Sequence, residues 1–241
     1  MSGHRALPSS LRRRPALTLL LLTDNLREMV SATKNVNYVA SGVLLPLPLA
    51  GDVALELCNT YAGWGERAGR DYLEGHAHLV TWARERGLVD ARAAAELTAL
   101  AQRDPRGADR ALDRAKRLRA AFYAVATGTA DDDAQAVVAR EVERAAATAR
   151  VEWHADGARF ALPVELELPV LAVAQEIGRF ITQPSRVGRC PGHGCGWLFT
   201  GGRGRRRWCS MAVCGNRAKV RRHAERNPRK KPSDPAKEVL R

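Results

Sequence analysis

The sequence predicts a mainly α N-terminal domain with a short β-hairpin, an α+β fold, followed by a small zinc-stapled β-hairpin/α module. Three observations lead to this prediction. Apolar residues recur at helical spacing through the middle of the chain, four of the five cysteines cluster near the C-terminus, and the excess positive charge lies in that same region. Four segments follow: a leader at 1–43, a helical domain at 44–184, a zinc module at 186–228 and a basic, polar tail at 229–241.

The leader contains six basic and two acidic side chains, a net charge of +4, and its apolar residues keep no sustained period. Arg12–Arg14 and the apolar run 16–22 look like the start of a secretory signal, but Thr23 and Asp24 break the run and no small-residue cleavage site follows. No stretch reaches the roughly 18 apolar residues that cross a bilayer. We therefore expect a cytoplasmic, nucleoid-associated protein with no membrane contact, whose leader is disordered or weakly ordered. A short helix over 16–30 is the alternative.

Five helices are predicted in the segment 44–184 from apolar residues three and four positions apart. Gly87 ends the first helix, Asp104 and Pro105 end the second, and Asp131 is an N-cap candidate for the fourth. The predicted ranges are 72–86, 91–102, 107–126, 133–149 and 165–182. Before them, the apolar run 53–60 is expected to be a short buried strand or a first helical turn.

A β-hairpin is predicted between the fourth and fifth helices. The stretches 150–153 and 159–162 have strand-forming residues, and they flank Asp156-Gly157, a dipeptide typical of hairpin turns. The hairpin is the β part of the N-terminal domain.

Nothing in the helical domain indicates an enzyme. It has no glycine-rich phosphate loop and no metal-binding His/Glu pair, and His76 and His78 share neither a helix face nor an acidic partner. Cys58 lies in an apolar run, as a buried thiol does. The domain has a net charge of −4, so we expect it to sense a ligand or to mediate association rather than to bind nucleic acid.

The cysteine cluster has the spacing C-x4-C-x13-C-x4-C. Two close pairs separated by a loop are typical of a chain that surrounds one tetrahedral Zn²⁺ with four thiolates. Neither pair is the C-x-x-C of redox proteins, and four protein ligands leave no open position for a catalytic water, so the zinc is expected to be structural. The alternative replaces one thiolate by His193. The predicted ligands are Cys190, Cys195, Cys209 and Cys214.

Local structure is also predicted around these ligands. The stretches 197–199 and 207–208 are expected to be two strands on either side of the loop 200–206, and their aromatic side chains to form a small core over the metal. After the last cysteine, Asn216 is expected to cap a helix that runs to Arg226.

Positive charge is concentrated in the same region. Residues 186–231 hold 14 Arg and Lys against one acidic residue, and the rest of the chain sums to zero. A patch of this kind predicts a polyanionic partner, in the first place nucleic acid. A second hypothesis is RNA, with Trp197, Phe199 or Trp208 stacked on bases, and a third is an acidic protein. The expected nucleic-acid contacts are Arg205, Arg206, Arg207, Asn216, Arg217, Lys219, Arg221, Arg222 and Arg226.

Three stretches of the zinc module, 195–199, 207–211 and 214–219, resemble the CGNR zinc finger, whose name is the tetrad that stands here at Cys214–Arg217. The segment 44–184 is similar to the ABATE domain that precedes this finger in bacterial proteins. The resemblance implies a stress-induced transcriptional regulator whose finger binds double-stranded DNA. The Gly/Arg-rich loop 200–206 departs from the family pattern, and the leader has no counterpart in it. The residues that carry the ABATE similarity are Gly51, Ala54, Leu55, Glu56, Leu57, Asn59, Thr60, Leu73 and Trp82.

Overall fold

The computed structural model describes residues 36–64, 69–183, 186–201, 204 and 206–226. Within these residues, helices predominate and the strands form four short antiparallel pairs, which confirms the mainly α fold followed by a hairpin/α module. The predicted leader helix at 16–30 and the tail at 229–241 lie outside the described residues.

Over the described ranges, two strand pairs lie before the second helix, four helices then follow one another from His76 to Thr148, and the other two strand pairs come after them. Their bounds are β1 (Asn37–Ala40), β2 (Val43–Pro46), α1 (Val53–Cys58), β3 (Tyr61–Ala62), β4 (Arg70–Asp71), α2 (His76–Glu85), α3 (Ala91–Arg103), α4 (Pro105–Thr127), α5 (Asp132–Thr148), β5 (Arg150–His154), β6 (Gly157–Ala161), α6 (Leu168–Thr182), β7 (Val187–Arg189), β8 (Leu198–Thr200), a π-helical turn (Met211–Gly215) and α7 (Asn216–Arg226).

The short helix α1 lies at the centre of the fold. The side chain of Asp52 caps it by accepting a hydrogen bond from the Ala54 amide at 2.9 Å, and residues 54–58 are all buried. A helix of 6 residues is not stable by itself, so its packing against α4 and α6 holds it in place. Of the two structures expected for this run, the helix is the one that forms. Cys58 is fully buried, and burial raises the pKa of its thiol.

The five predicted helices correspond to α2–α6, with ends that shift by at most four residues. The largest shift is in α2, which begins at His76 because the chain before it is extended and pairs as β3–β4. The predicted cap is present, since Asp131 accepts from the Ala134 amide at 2.9 Å, and Asp104, which was expected to end the second helix, also caps the next one by accepting from the Gly107 amide at 2.8 Å. Capping carboxylates thus set two helix starts.

The hairpin β5–β6 forms where it is predicted, with its turn one residue earlier than Asp156-Gly157. His154 pairs with Gly157, so the two turn residues are Ala155 and Asp156. Gly157 has a φ of 131°, a conformation that favours glycine.

The hairpin β1–β2 begins within the range 1–43, where the sequence analysis expected a weakly ordered leader. Its second strand contributes Leu45, which is fully buried, and the Leu47 amide donates to the Val36 carbonyl at 2.8 Å. The apolar residues of β2 therefore bring β1 into the fold, an effect that the irregular spacing before Val43 does not reveal.

The zinc module packs directly on the helical domain, although the sequence suggested two separate units. Leu198 of β8 is fully buried in the main core. A second cluster joins Leu47, Leu49 and Tyr72 to the aromatic residues and cysteines of the module. The module therefore buries part of its surface against the helices. Of the helices in the described part of the chain, none combines the length and the apolar character that a membrane crossing requires.

Candidate metal centre and nucleic-acid interface

The four predicted ligands come together at one point. The sulfurs of Cys190, Cys195, Cys209 and Cys214 all lie within 4.8 Å of one another. Cys195 and Cys209 are 3.6 Å apart at Sγ, and Cys209 and Cys214 are 3.5 Å apart. Zinc–sulfur bonds of about 2.3 Å in a tetrahedron place sulfurs about 3.8 Å apart, so the site fits one Zn²⁺. Among the described residues, His193 is not part of this cluster and its side chain is exposed, which argues against the His193 alternative.

The electrostatics of the cluster favour a bound cation. The neighbouring thiols, Cys190 first, raise the pKa of Cys209 above its usual range, and the Cys190 thiol also raises that of Cys195. Sulfurs this close and this buried cannot all ionise together unless a positive ion lies between them. Zn²⁺ bound by four thiolates would supply that charge and cross-link the two halves of the module.

The first pair of ligands sits in the connection between β7 and β8. Here the Cys190 amide donates to the Trp197 carbonyl and the Cys195 amide donates to the Gly192 carbonyl. Gly196 has a φ of 69°, and a Cβ on it would lie 2.7 Å from the Cβ of Trp64, so only glycine fits this turn. The turn thereby aligns Cys190 and Cys195 towards the second pair.

The predicted partner of strand 197–199 is wrong. β8 pairs with β7, so that Leu198 faces Arg189, and residues 207–208 are not in a strand. The Arg206 side chain explains the difference, because it folds back on the module. Its guanidinium lies 4.5 Å from the centre of the Phe199 ring and donates to the Leu49, Trp208 and Cys209 carbonyls. These contacts hold 206–209 in an irregular conformation.

The second pair of ligands is placed by a short π-helical turn, with Cys209 before the turn and Cys214 within it. Ser210 caps it by accepting a hydrogen bond from the Val213 amide at 3.3 Å, and α7 continues directly from it. The prediction that Asn216 is the N-cap is therefore wrong. Asn216 is the first residue of α7, and its side-chain amide donates to the Ala212 carbonyl at 3.0 Å. The helix thus starts one turn earlier, with Cys214 inside it.

The helix α7 extends from the metal centre with its basic side chains in solvent. Ala218 is its buried residue, while Val220 is 69 % exposed and Ala224 is also exposed. Val220 and Ala224 do not face inward, because the module is too small to cover more than the first turn of the helix. The exposed basic residues of α7 are Arg217, Lys219, Arg221, Arg222 and Arg226.

These residues form two stripes. At the helical repeat, Lys219, Arg222 and Arg226 share one face of α7, and Arg217 and Arg221 lie on an adjoining face. A shallow groove runs between the stripes, with Trp208 at its base. Its remaining lining residues are Arg207, Ala218, Arg221, Arg222 and Glu225.

The three consecutive arginines that were expected to contact nucleic acid, Arg205 to Arg207, do not all have the same surroundings. Arg207 is exposed and lies 5.4 Å from the centre of the Trp208 ring, so it extends the basic surface beyond α7. Arg206 is half-buried and its donors are directed at carbonyl groups. Arg205 lies outside the described residues.

The aromatic residues form the core of the module, as the sequence analysis expected. Trp197 and Phe199 are each 1 % exposed, and the Trp197 indole donates to the Tyr61 carbonyl at 2.9 Å. Neither ring is accessible to a nucleobase. Trp208 is half-buried.

Asn59 is a residue whose importance sequence reasoning missed. It is fully buried, and its side chain binds the main chain of Leu198 twice: Oδ1 accepts from the amide at 2.8 Å and Nδ2 donates to the carbonyl at 2.9 Å. The Tyr123 hydroxyl also donates to the Gly196 carbonyl at 2.8 Å. A polar Asn-Thr pair that directly follows an apolar run was the available signal, since polar side chains in such a place need buried partners.

Comparisons with known families agree with this geometry. The family model described as "Putative stress-induced transcription regulator" (ABATE) matches residues 51–184, and that of the CGNR zinc finger matches residues 186–227. No curated protein sequence matches the chain. The first match covers the helical domain and the second covers the metal centre with α7.

Proposed function

Because the chain belongs to the ABATE family of stress-induced regulators and carries a CGNR zinc finger, we propose that it is a transcriptional regulator whose finger binds double-stranded DNA. In this proposal the helical domain senses a ligand or mediates association, the setting is the cytoplasm, and the protein catalyses no reaction. The observation that carries the proposal is the exposed basic surface of α7 next to a rigid metal centre.

The size and shape of α7 support DNA as the partner. A single exposed helix with basic residues on both sides fits the major groove, where side chains on one face approach base edges and flanking arginines approach phosphates. The finger also fixes the start of α7, since Cys214 lies one turn before the basic residues. Its orientation is therefore set before it meets a partner.

The division of charge supports the roles of the two domains. The helical domain is slightly acidic, whereas the basic excess lies in the finger. Within the described part of the finger, the one acidic group paired with α7 is Glu225, at 3.7 Å from Arg221. We therefore assign the polyanion contact to Arg207, Arg217, Lys219, Arg221, Arg222 and Arg226, and we assign Arg206 a structural role.

The proposal is tested by fluorescence anisotropy with a labelled DNA duplex and the full-length zinc-loaded protein. We expect binding that weakens steeply with salt, with a log–log slope of about −4 or beyond if some five phosphates are engaged. The double variant Lys219→Ala, Arg222→Ala should bind at least roughly tenfold more weakly and show a shallower slope, by about one unit per lost phosphate contact. Binding that is insensitive to salt would contradict the proposal.

A matched control separates this surface from overall charge. Arg92 of α3 and Arg140 of α5 are exposed arginines on the helical domain. The double variant Arg92→Ala, Arg140→Ala removes the same charge and should keep the affinity of the wild type. An equal loss in both double variants would show that net charge, not α7, determines binding.

RNA and an acidic protein are the other two partners that the sequence left open. The burial of Trp197 and Phe199 removes two of the three rings on which RNA stacking would depend and leaves the half-buried Trp208. Competition between duplex DNA and RNA of matched length should therefore favour DNA. Retention of a protein partner after nuclease treatment, with no affinity for DNA, would instead identify an acidic protein as the target.

A further inference from the structure

The hairpin β5–β6 projects from the helical domain and exposes a row of large apolar side chains. Trp153 is 82 % exposed, Phe160 is 76 % exposed and Val151 is 52 % exposed. Val151 pairs with Phe160 across the hairpin, and Trp153 lies two residues from Val151, so all three share one face. Aromatic side chains bury about 150–250 Å² each when covered, so this face is large for an unpartnered patch.

The edges of the hairpin are also open. Among the described residues, β5 and β6 pair with each other and with no further strand. Both strands are exposed along nearly their whole length. A two-stranded hairpin is only marginally stable in water, and an exposed edge presents unpaired amides and carbonyls to any matching strand.

The sequence of β5 matches a second copy of itself. In an antiparallel pairing of two β5 strands centred on Val151, Arg150 of each copy lies opposite Glu152 of the other, which gives two oppositely charged pairs. The register centred one residue later would place the two Glu152 carboxylates opposite each other, which is unfavourable. Charge thus favours the register centred on Val151.

The same register aligns the apolar faces. Val151 of one copy meets Val151 of the other, and each is flanked by its own Phe160, so an apolar row crosses all four strands. On the polar face, Glu152 lies between Arg159 of its own hairpin and Arg150 of the second copy. We propose that the protein dimerises through the β5 edge of this hairpin, which forms a four-stranded sheet with a second copy of the chain.

The proposed function gives the helical domain a role in association, and this dimer would be the form that the association takes. The inference rests on the proposed function only in this point. A two-fold dimer would present two α7 helices, as regulators that bind paired half-sites do. The dimer itself is tested without nucleic acid, so its failure and the failure of DNA binding are distinguishable.

The first test is the mass of the full-length zinc-loaded protein by light scattering and sedimentation velocity. At roughly 50 µM, a concentration suited to small interfaces, we expect a dimer. Arg150→Glu and Glu152→Arg should each weaken dimerisation by at least about tenfold, because each places like charges opposite each other. The double variant exchanges the charges between the two copies but also places two arginines opposite each other within the hairpin, at the pair of Glu152 and Arg159, so we expect it to recover part of the lost dimer affinity.

Val151→Thr gives a second test and has a matched control. It keeps the branched shape that favours a strand but makes the centre of the apolar row polar, and we expect a monomer. Val39→Thr makes the same change at an exposed position of the other hairpin, β1–β2, where Val39 is 67 % exposed, and should leave the dimer intact. A wild type that is monomeric, a Val151→Thr variant that dimerises normally, or a charge exchange that dimerises no better than the two single variants would overturn the proposal.

Discussion

The helical domain and the zinc module both contain many arginines, but their surroundings differ. In the helical domain, Arg119 is 6 % exposed and binds Asp71 with two hydrogen bonds, of 2.7 and 2.8 Å. Arg114 and Arg144 both bind the pair Glu141 and Glu167. On α7 of the zinc module, the basic side chains extend into solvent, and the described ion pairs include only Arg221 with Glu225.

The difference separates arginines that hold the fold from arginines available to a partner. A buried guanidinium with its carboxylate in place is costly to remove, since the partner charge would be left uncompensated. An exposed arginine costs little to remove but contributes to the attraction of a polyanion. Arg206 is the exception in the zinc module, because its donors are directed at main-chain carbonyls. The predictions below test this division.

Removal of the zinc should have the largest effect. A zinc module of this size depends on its metal, with binding free energies of about 10–16 kcal/mol in zinc-finger peptides. Cys209→Ser should lower the zinc content from one ion per chain to a small fraction, unfold the module and abolish DNA binding. Zinc is measured with a colorimetric chelator, and folding by the fluorescence of the buried Trp197.

Cys58→Ala is the matched control for the zinc variant. Cys58 is as buried as the ligands but lies in α1 of the helical domain, away from the sulfur cluster. It should keep one zinc and bind DNA as the wild type does. If Cys209→Ser kept full DNA affinity, the zinc would not be the scaffold of the basic surface.

Sequence alone predicts the metal centre well and its surroundings less well. Cysteine spacing identifies the four ligands because tetrahedral Zn²⁺ imposes local geometry on two short segments. It does not show that residues 206–209 are irregular, because the Arg206 side chain is held by the Leu49 carbonyl, 157 positions away. Contacts of this kind join residues far apart in the chain and leave no local pattern.

Helices are likewise predicted better than the junction between the two regions. Apolar periodicity and capping carboxylates such as Asp104 and Asp131 act within one or two turns. The contact between Asn59 and Leu198 spans 139 positions. The local sign of this contact in the sequence is that Asn59, a polar residue, directly follows an apolar run. The burial of Leu198 in the main core could therefore not be inferred from the zinc motif.

Loss of a paired arginine in the helical domain should have the next largest effect. Arg119→Ala removes two hydrogen bonds to Asp71 and one to Thr60. We expect the free energy of unfolding to fall by about 3 kcal/mol, the lower end for broken buried pairs, because Lys116 remains 3.4 Å from Asp71. Arg117→Ala changes an exposed arginine on the same helix and should change the free energy of unfolding by less than about 0.5 kcal/mol. Urea denaturation measures both. If both substitutions lowered the free energy of unfolding equally, pairing with a carboxylate would not be what separates Arg119 from Arg117.

The buried Glu56 adds a pH dependence at the junction of the two regions. Its carboxylate accepts from the Ala50 amide at 2.6 Å, and burial raises its pKa from the usual value to about 7. Because the folded-state pKa is the higher one, the folded state binds the proton more tightly. The stabilisation is fully present below the unfolded pKa of about 4.3 and is lost as the pH rises through 7.

We therefore expect the deprotonation of Glu56 to lower the free energy of unfolding of the wild type. The loss should be about 3 kcal/mol as the pH rises from the unfolded-state pKa of Glu56 to its folded-state pKa. Glu56→Gln cannot titrate and should flatten the profile over this range. The measurement is the urea midpoint at several pH values, with Glu96→Gln, an exposed position on α3, as the control. An unchanged profile in Glu56→Gln would assign the pH dependence to other groups.

The smallest effects should come from Arg206 and Arg207, two neighbouring arginines of the zinc module. One is a structural arginine and the other is available to a partner. Arg206→Ala removes the cation–π contact with Phe199 and leaves the carbonyls of Leu49 and Cys209 without a donor, so we expect a loss of about 2 kcal/mol in stability. Arg207→Ala should leave stability unchanged but weaken duplex DNA binding up to roughly tenfold, through one phosphate contact. Denaturation and anisotropy on both variants are sufficient. If the two substitutions acted alike in both assays, burial and hydrogen bonding would not separate structural arginines from those that contact DNA.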